Sequence, residues 1–295
     1  MKSRFLHISV IVLLLLSMLL MLTHAELVIQ GAHTGLELWY TSVLPSIFPF
    51  MILTSLLRSY LKSDRLCYLG LLCGLPVGAG LVDMKYQDGD LPIRKANALL
   101  VICNLTSPMF LCGYIWNQTL DKQVSIVYLI LIIYLPILTY ALIERLKEHI
   151  TRKPSKAAHH QGDSLGSSTA SLEATLLTCI RVILLTGVYI MLFCIAIHLI
   201  NHYISITQLK YMPAVHILLS GLEITNGIRI LSSLPLSLQQ KTALIAGLTS
   251  FGGICSIFQT KSAITHSELS LRHYICMKLL FGCLTVTLGL LIPLF

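Results

Sequence analysis

Charge is what this sequence has least of: only 12% of its 295 residues are Asp, Glu, Lys or Arg, against roughly 25% in a soluble domain. That is too little to cover a water-facing surface, so a free-standing globular fold is excluded. Long polar segments are scarce as well, with one exception near the middle. There is no CxxC pair and no Cys/His metal spacing, although nine cysteines are present. A zinc module is therefore excluded, and the odd number does not suit a closed disulfide framework. Cys67 and Cys73 stand close together, but in a Gly-rich apolar stretch where small side chains serve helix packing. HExxH, P-loop and dinucleotide fingerprints are missing too. The chain reads as a non-enzyme with no cofactor and no metal. Its net charge of +8 does not point to nucleic acid, because the basic residues lie in short gaps between apolar segments. Topology and anionic membrane lipid account for them.

What the sequence has is apolar length. A bilayer core takes about 20 helical residues, and such stretches recur from end to end. The fold class is an all-α polytopic membrane protein. Residues 5–23 form an apolar run behind Lys2 and Arg4, and Thr23-His24-Ala25 resembles a signal-peptidase site. A cleaved signal or an anchor fits. The run exceeds the usual signal core, which favours a signal-anchor helix over 1–30. Further spans are predicted at 38–57, 97–117, 124–143, 174–200, 241–258 and 274–295, seven in all with the anchor. Residues 66–84 and 213–231 are apolar but interrupted, the first by Gly70, Gly74, Pro76, Gly78 and Gly80, the second by Glu223, Asn226 and Gly227. Both read as broken or re-entrant helices, which are tolerated at membrane depth only where protein or a water-filled cavity satisfies the freed backbone.

Basic residues cluster at Lys2/Arg4, at Arg58/Lys62/Arg65 and from Arg145 to Lys156, which places those points on the cytoplasmic side. Residues 144–173 read as a flexible cytoplasmic linker between two halves. Gly162-Asp163-Ser164-Leu165-Gly166 in that linker matches GxSxG, but a nucleophile elbow needs a strand-to-helix turn and none is there.

The two halves are copies. Leu91-Pro92, Leu105-Thr106-Ser107 and Cys112 recur at identical spacing as Leu234-Pro235, Leu248-Thr249-Ser250 and Cys255. Upstream, Gly74-Leu75 and Gly80 align with Gly221-Leu222 and Gly227 once a short insertion at 87–90 is allowed. The repeats then occupy 31–143 and 174–295. With three crossings each, the second must enter from the opposite side, giving an inverted repeat with two broken or re-entrant helices. That arrangement is the sequence signature of many secondary transporters, whose sites lie near the midplane. A duplication kept for packing alone is the alternative.

Glu223 lies in an apolar context where a charged residue costs about 2.5–3.5 kcal/mol on insertion scales. It could hold a cation, a proton or a polar solute. It could equally pair with Arg229 or sit at a helix N-terminus. Thr225 and Asn226 follow it. Thr106-Ser107 and Thr249-Ser250 occupy equivalent points, followed by Pro108 in one copy and by Gly252-Gly253 in the other, so both spans are expected to break there. Freed amides and hydroxyls at such breaks can hold a solute, although membrane hydroxyls also bond their own backbone. Asn104 and Gln259 flank the breaks, and their amides need a cavity or a partner helix. These eleven residues form the candidate substrate-binding set.

Gly74-Leu75-Pro76-Val77-Gly78-Ala79, Ala98-Leu99-Leu100 through Cys103-Asn104 to Ser107-Pro108, Gly221 through Gly227, and Phe251-Gly252-Gly253 resemble the sporulation integral membrane protein family of the YlbJ type, over about residues 35–259. The resemblance implies nucleoside-recognition (Gate) domains, a spore-forming bacterium, a multi-pass place in the cytoplasmic membrane and a role in building the spore envelope or cortex. One hypothesis is a transporter-like protein for a small polar or nucleoside-like solute, with a coupling cation. The other is a non-transporting scaffold for spore-assembly partners or for a homo-oligomer.

Overall fold

A computed structural model describes residues 2–60, 69–151, 172–264 and 268–294. Lys62, Arg65, Cys67 and the GxSxG match fall outside them. Every regular element among the described residues is helical. Six stretches are long and apolar enough to cross a membrane, namely Ala25–Leu57, Ile93–Thr119, Ile126–Ile150, Thr175–Ser205, Leu238–Ala263 and Leu271–Leu291. The N-terminal helix α1 (Lys2–Thr23) has a 17-residue apolar part, His7–Thr23. Its leucines stand exposed all round, Leu13 at 67%, as expected where lipid is the solvent.

The first crossing starts earlier than the apolar count suggested, at Ala25 instead of 38. Helix α2 (Ala25–Leu38) continues through a π-helical turn, Trp39–Val43, into α3 (Leu44–Tyr60). Its early part carries Glu26, Gln30, His33 and Glu37, which masks it from a hydropathy reading. Its buried side is Gly31, Gly35 and Leu38, a GxxxG pair overlooked in the sequence. A Cβ on Gly31 would stand 2.7 Å from the Ile195 Cα, and one on Gly35 2.6 Å from the Met191 Cα. Backbones touch here because the side chains are absent. The partner is α9 (Leu172–Ser205), which runs antiparallel: Trp39 Nε1 donates to the Ile183 carbonyl at 3.0 Å, and Thr34 lies 3.5 Å from His198 Nε2.

The expected linker is shorter at its start, because α8 (Ile126–Thr151) carries helix through 144–151, where Lys147 and Glu144 pair at 2.6 Å. Residues 152–171 lie outside the described set.

Both re-entrant segments are broken helices. In the first, α4 (Gly70–Cys73) gives way at Gly74, passes Leu75-Pro76 and resumes as α5 (Val77–Gln87). In the second, α10 (Pro213–Ser220) gives way over Gly221-Leu222-Glu223 to α11 (Ile224–Ser233). The crossings that follow are α6 (Ile93–Cys103) with α7 (Pro108–Phe110) and a π-helical run Leu111–Thr119, and α12 (Leu238–Phe251) with α13 (Gly253–Ala263). The last helix is α14 (Leu271–Leu291).

Contacts at the two ends of the bundle fix directions. At one end Lys95 pairs with Glu148 at 3.7 Å, the Ser270 amide donates to Asn97 Oδ1 at 2.7 Å, and Tyr86 bonds Glu268. At the other, the Tyr128 hydroxyl donates to the Gly289 carbonyl at 2.9 Å and Gln239 Nε2 to the Leu290 carbonyl at 3.0 Å. Ile93–Thr119 and Leu238–Ala263 thus run in opposite senses, as do α8 and α14. The turns bearing Leu91-Pro92 and Leu234-Pro235 lie at opposite ends.

The Thr-Ser breaks are not equivalent, contrary to the repeat reading. In the first copy the helix does stop there: Asn104 to Ser107 are non-helical, and α7 restarts with Pro108 at its first position. Proline pushes the residue before it out of the helical region. Ser107 sits extended at ψ 147° and its Oγ accepts from the Phe110 amide at 3.2 Å. In the second copy the helix runs straight through Thr249-Ser250 and ends at Gly252, where φ is +90°. A left-handed residue ends a helix, and glycine takes that conformation without a steric penalty.

Candidate functional site

At the middle of the bundle the interruptions come together. Leu75, from the first re-entrant break, would lie 3.3 Å from a Cβ on Gly252. The amides of Ile254 and Cys255 donate to the carbonyls of Gly221 and Leu222 at 2.9 and 2.8 Å, so the start of α13 satisfies the break between α10 and α11. Thr106 Oγ1 donates to the Thr249 carbonyl at 2.9 Å, joining the copies.

Between these breaks lies a cavity of about 40 Å³ lined by Thr106, Ser107, Glu223, Thr225, Ser256 and Gln259, with Val43, Ile47, Phe110 and Ile190 on its apolar sides. Glu223 is 1% exposed. Its Oε1 accepts from the Thr225 amide at 3.0 Å and its Oε2 from the Asn226 amide at 2.7 Å. The carboxylate therefore caps the N-terminus of α11, where amide hydrogens and the helix dipole favour negative charge. That was one of the readings open in the sequence. The pair with Arg229 is not formed among the described residues; Arg229 is exposed and lines a separate cleft. A carboxylate has about four lone-pair sites, so Glu223 keeps acceptor capacity toward the cavity. The Thr225 hydroxyl, fully buried beside it, makes no hydrogen bond of good geometry among the described residues.

Five of the eleven candidate residues line this cavity: Thr106, Ser107, Glu223, Thr225 and Gln259. The others hold the walls together. Asn104 Nδ2 donates to Thr260 Oγ1 at 2.7 Å and to the Tyr274 hydroxyl at 3.0 Å, while its Oδ1 accepts from the Ala79 amide at 3.3 Å. Ser250 bonds Thr285 at 2.8 Å, and Thr249 Oγ1 donates back to the Ile245 carbonyl. Asn226 reaches only the Cys194 thiol, at 3.7 Å. Gly252 and Gly253 supply backbone shape, both at positive φ. Thr249 and Ser250 also line a smaller void of about 10 Å³ with Thr106 and Tyr134.

Ser256, Cys255 and Thr186 also line the cavity and were not among the candidates. Ser256 falls on one face of α13 with Gly252 and Gln259, a spacing that could have pointed to it. Tyr114 was likewise overlooked: its hydroxyl donates to the Thr225 carbonyl at 2.9 Å. Lys278 lies outside this group. It is fully buried on α14, with no hydrogen-bond partner among the described residues and its Nζ 6.0 Å from the centre of the Tyr274 ring. It lies a third of the way along α14, too deep to snorkel.

No family model and no solved structure matches the chain. It is similar to the "Sporulation integral membrane protein YlbJ" of Bacillus subtilis (strain 168), with 23% identity over 317 residues that take in 88% of this chain and 76% of that protein. With its six apolar crossings, the chain is a multi-pass bacterial membrane protein.

Proposed function

We propose that this is a sporulation membrane protein of the YlbJ type, placed in the cytoplasmic membrane and moving a small polar solute through the Glu223 cavity during assembly of the spore envelope. The observation that carries the reading is the meeting of helix breaks from both halves around one largely apolar cavity into which Glu223, Thr106, Ser107 and Gln259 bring polar groups. Free backbone groups in lipid cost several kcal/mol each. A packing duplication has no need of them at one depth, whereas a solute path does. As it stands the cavity has room for about three waters, so a nucleoside-like solute requires it to open. Glu223 supplies the charge that a coupling cation or proton would meet.

Orientation follows from charge. The end bearing 144–151 faces the cytoplasm, and the end bearing 117–123 and 201–210 faces out. Single cysteines at Asn117 and at Glu148, placed in a cysteine-free background, should react with an impermeant thiol reagent from opposite sides of sealed vesicles. Labelling of both from one side would sink the antiparallel arrangement of the two copies in the membrane.

A scaffold without transport is the second reading, favoured by the polar locks Ser250–Thr285 and Asn104–Thr260 and by the small cavity. Val43→Phe separates the two. It fills the cavity without removing a polar group, and overpacking costs about 1–3 kcal/mol. In a host lacking its own YlbJ-type protein, heat-resistant spores should fall at least tenfold for Val43→Phe at unchanged membrane abundance, and not for Leu284→Phe on an exposed face. Equal spore counts for the two variants would favour the scaffold.

A further inference from the structure

Outside the Glu223 cavity there is a second, larger concavity. It is a cleft of about 340 Å³, open to the end of the bundle that bears the 120–125 and 233–237 turns. Specific small-molecule sites begin at about this size. Its walls come from three elements. Glu37 and Ser42 stand on the first crossing, Tyr114 and Gln118 on the π-helical run, and Arg229 and Ser232 on α11.

The cleft carries one charge of each sign, and neither is spoken for. The ion pairs among the described residues involve Lys85, Lys95 and Lys147. No side-chain hydrogen bond of Glu37, Gln118 or Arg229 joins them to another described residue. A guanidinium offers a planar fork of donors that matches a carboxylate, and Glu37 offers an acceptor to an ammonium group. Gln118 can both donate and accept. A solute with two separated and opposite charges satisfies all three at once. A simple anion leaves Glu37 facing it, and a simple cation leaves Arg229. Tyr114 links the cleft to the Glu223 cavity: it lines the cleft, and its hydroxyl donates to the carbonyl of Thr225, a cavity-lining residue.

We propose that this cleft is a binding site for a small zwitterion of the amino-acid type, its carboxylate on Arg229 and its ammonium on Glu37, with Tyr114 as the partition between it and the Glu223 cavity. The assignment rests on the transport reading and names its solute class.

The test is thermal unfolding of the purified full chain in lipid nanodiscs. Alanine and glutamine are titrated to saturation, with acetate, methylamine and uridine as separate arms. Binding to the folded state raises the midpoint. The expected result is a saturable rise of several degrees with alanine or glutamine and none with acetate or methylamine. The rise should be lost in both Arg229→Gln and Glu37→Gln. Each of these exposed substitutions should leave the ligand-free midpoint within about one degree of wild type. No rise with either zwitterion in the wild-type chain would overturn the proposal, as would a rise retained by both variants. A rise with uridine that both variants keep would also overturn it, while leaving a solute path through the protein intact.

Discussion

Gly227→Ala is expected to prevent correct assembly. A Cβ at that position would stand 2.1 Å from the Ser220 carbonyl oxygen and 2.8 Å from Leu248 Cδ2. The first of these is backbone at the end of α10, held by the break it serves, and it cannot turn aside as a flexible side chain can. Relief means prising α11 away from α10 and from the Glu223 cap, which loses buried hydrogen bonds worth about 1–3 kcal/mol each when left unmade on top of overpacking of similar size. Yield of monodisperse protein and the unfolding midpoint should both collapse. Gly80, which the repeat aligns with Gly227, is the control: nothing lies within 4 Å of its Cβ position. Gly80→Ala within α5 should be neutral or stabilise by up to about 1 kcal/mol. A Gly227→Ala protein as stable as wild type would show that α10 and α11 do not cross as closely as described.

Glu223→Gln is expected to abolish function while most of the protein still reaches the membrane. The amide keeps the shape and one acceptor oxygen, so one of the two cap bonds survives. The other would bring an N–H against the Asn226 or Thr225 amide, a loss of about 1–3 kcal/mol. What disappears entirely is the negative charge facing the cavity. Spore counts should drop to the level of a strain lacking the protein, with abundance reduced less than threefold. The further change Arg229→Gln should restore nothing, because Arg229 is not the partner of Glu223. Rescue by that double change would mean that the charge serves pairing and not solute. Near-normal sporulation in the single variant would leave Glu223 as a helix cap and no more.

Much of this arrangement was legible in the residues. Apolar length placed five of the crossings to within seven positions at either end, because hydrophobic matching to a bilayer is a constraint on composition. The glycine and proline interruptions at Gly74-Leu75-Pro76 and Gly221-Leu222-Glu223 marked real breaks, since those residues act on the backbone directly. Three things were not legible. The first crossing was cut short because Glu26, Gln30 and Glu37 lower its hydropathy, while its helix is held by two glycines against α9. The break after Thr249-Ser250 was placed two residues early, because identical side chains were taken to imply identical backbone, whereas Pro108 and Gly252 decide where each helix stops. Asn104 and Ser250 were grouped with the cavity although their side chains bond across helices, and Thr249 although its hydroxyl bonds back to its own helix. Sequence shows which polar groups need partners but not which partner is nearest.

The unequal breaks bear on how such a molecule could move. Two interchangeable halves related by a pseudo-twofold axis could trade roles, and the two resulting conformers would be degenerate in energy. Here the second half is stitched at its interruption by two backbone bonds, from Ile254 to Gly221 and from Cys255 to Leu222. The first half is held by other means, a longer side-chain bond from the Ala79 amide to Asn104 and the close approach of Gly74 and Gly78 to the backbone of Ser107 and Cys103. The two halves are thus jointed by different means. Any exchange of access between the two faces would therefore load two unlike joints, and its two end states would differ in energy before any solute arrived.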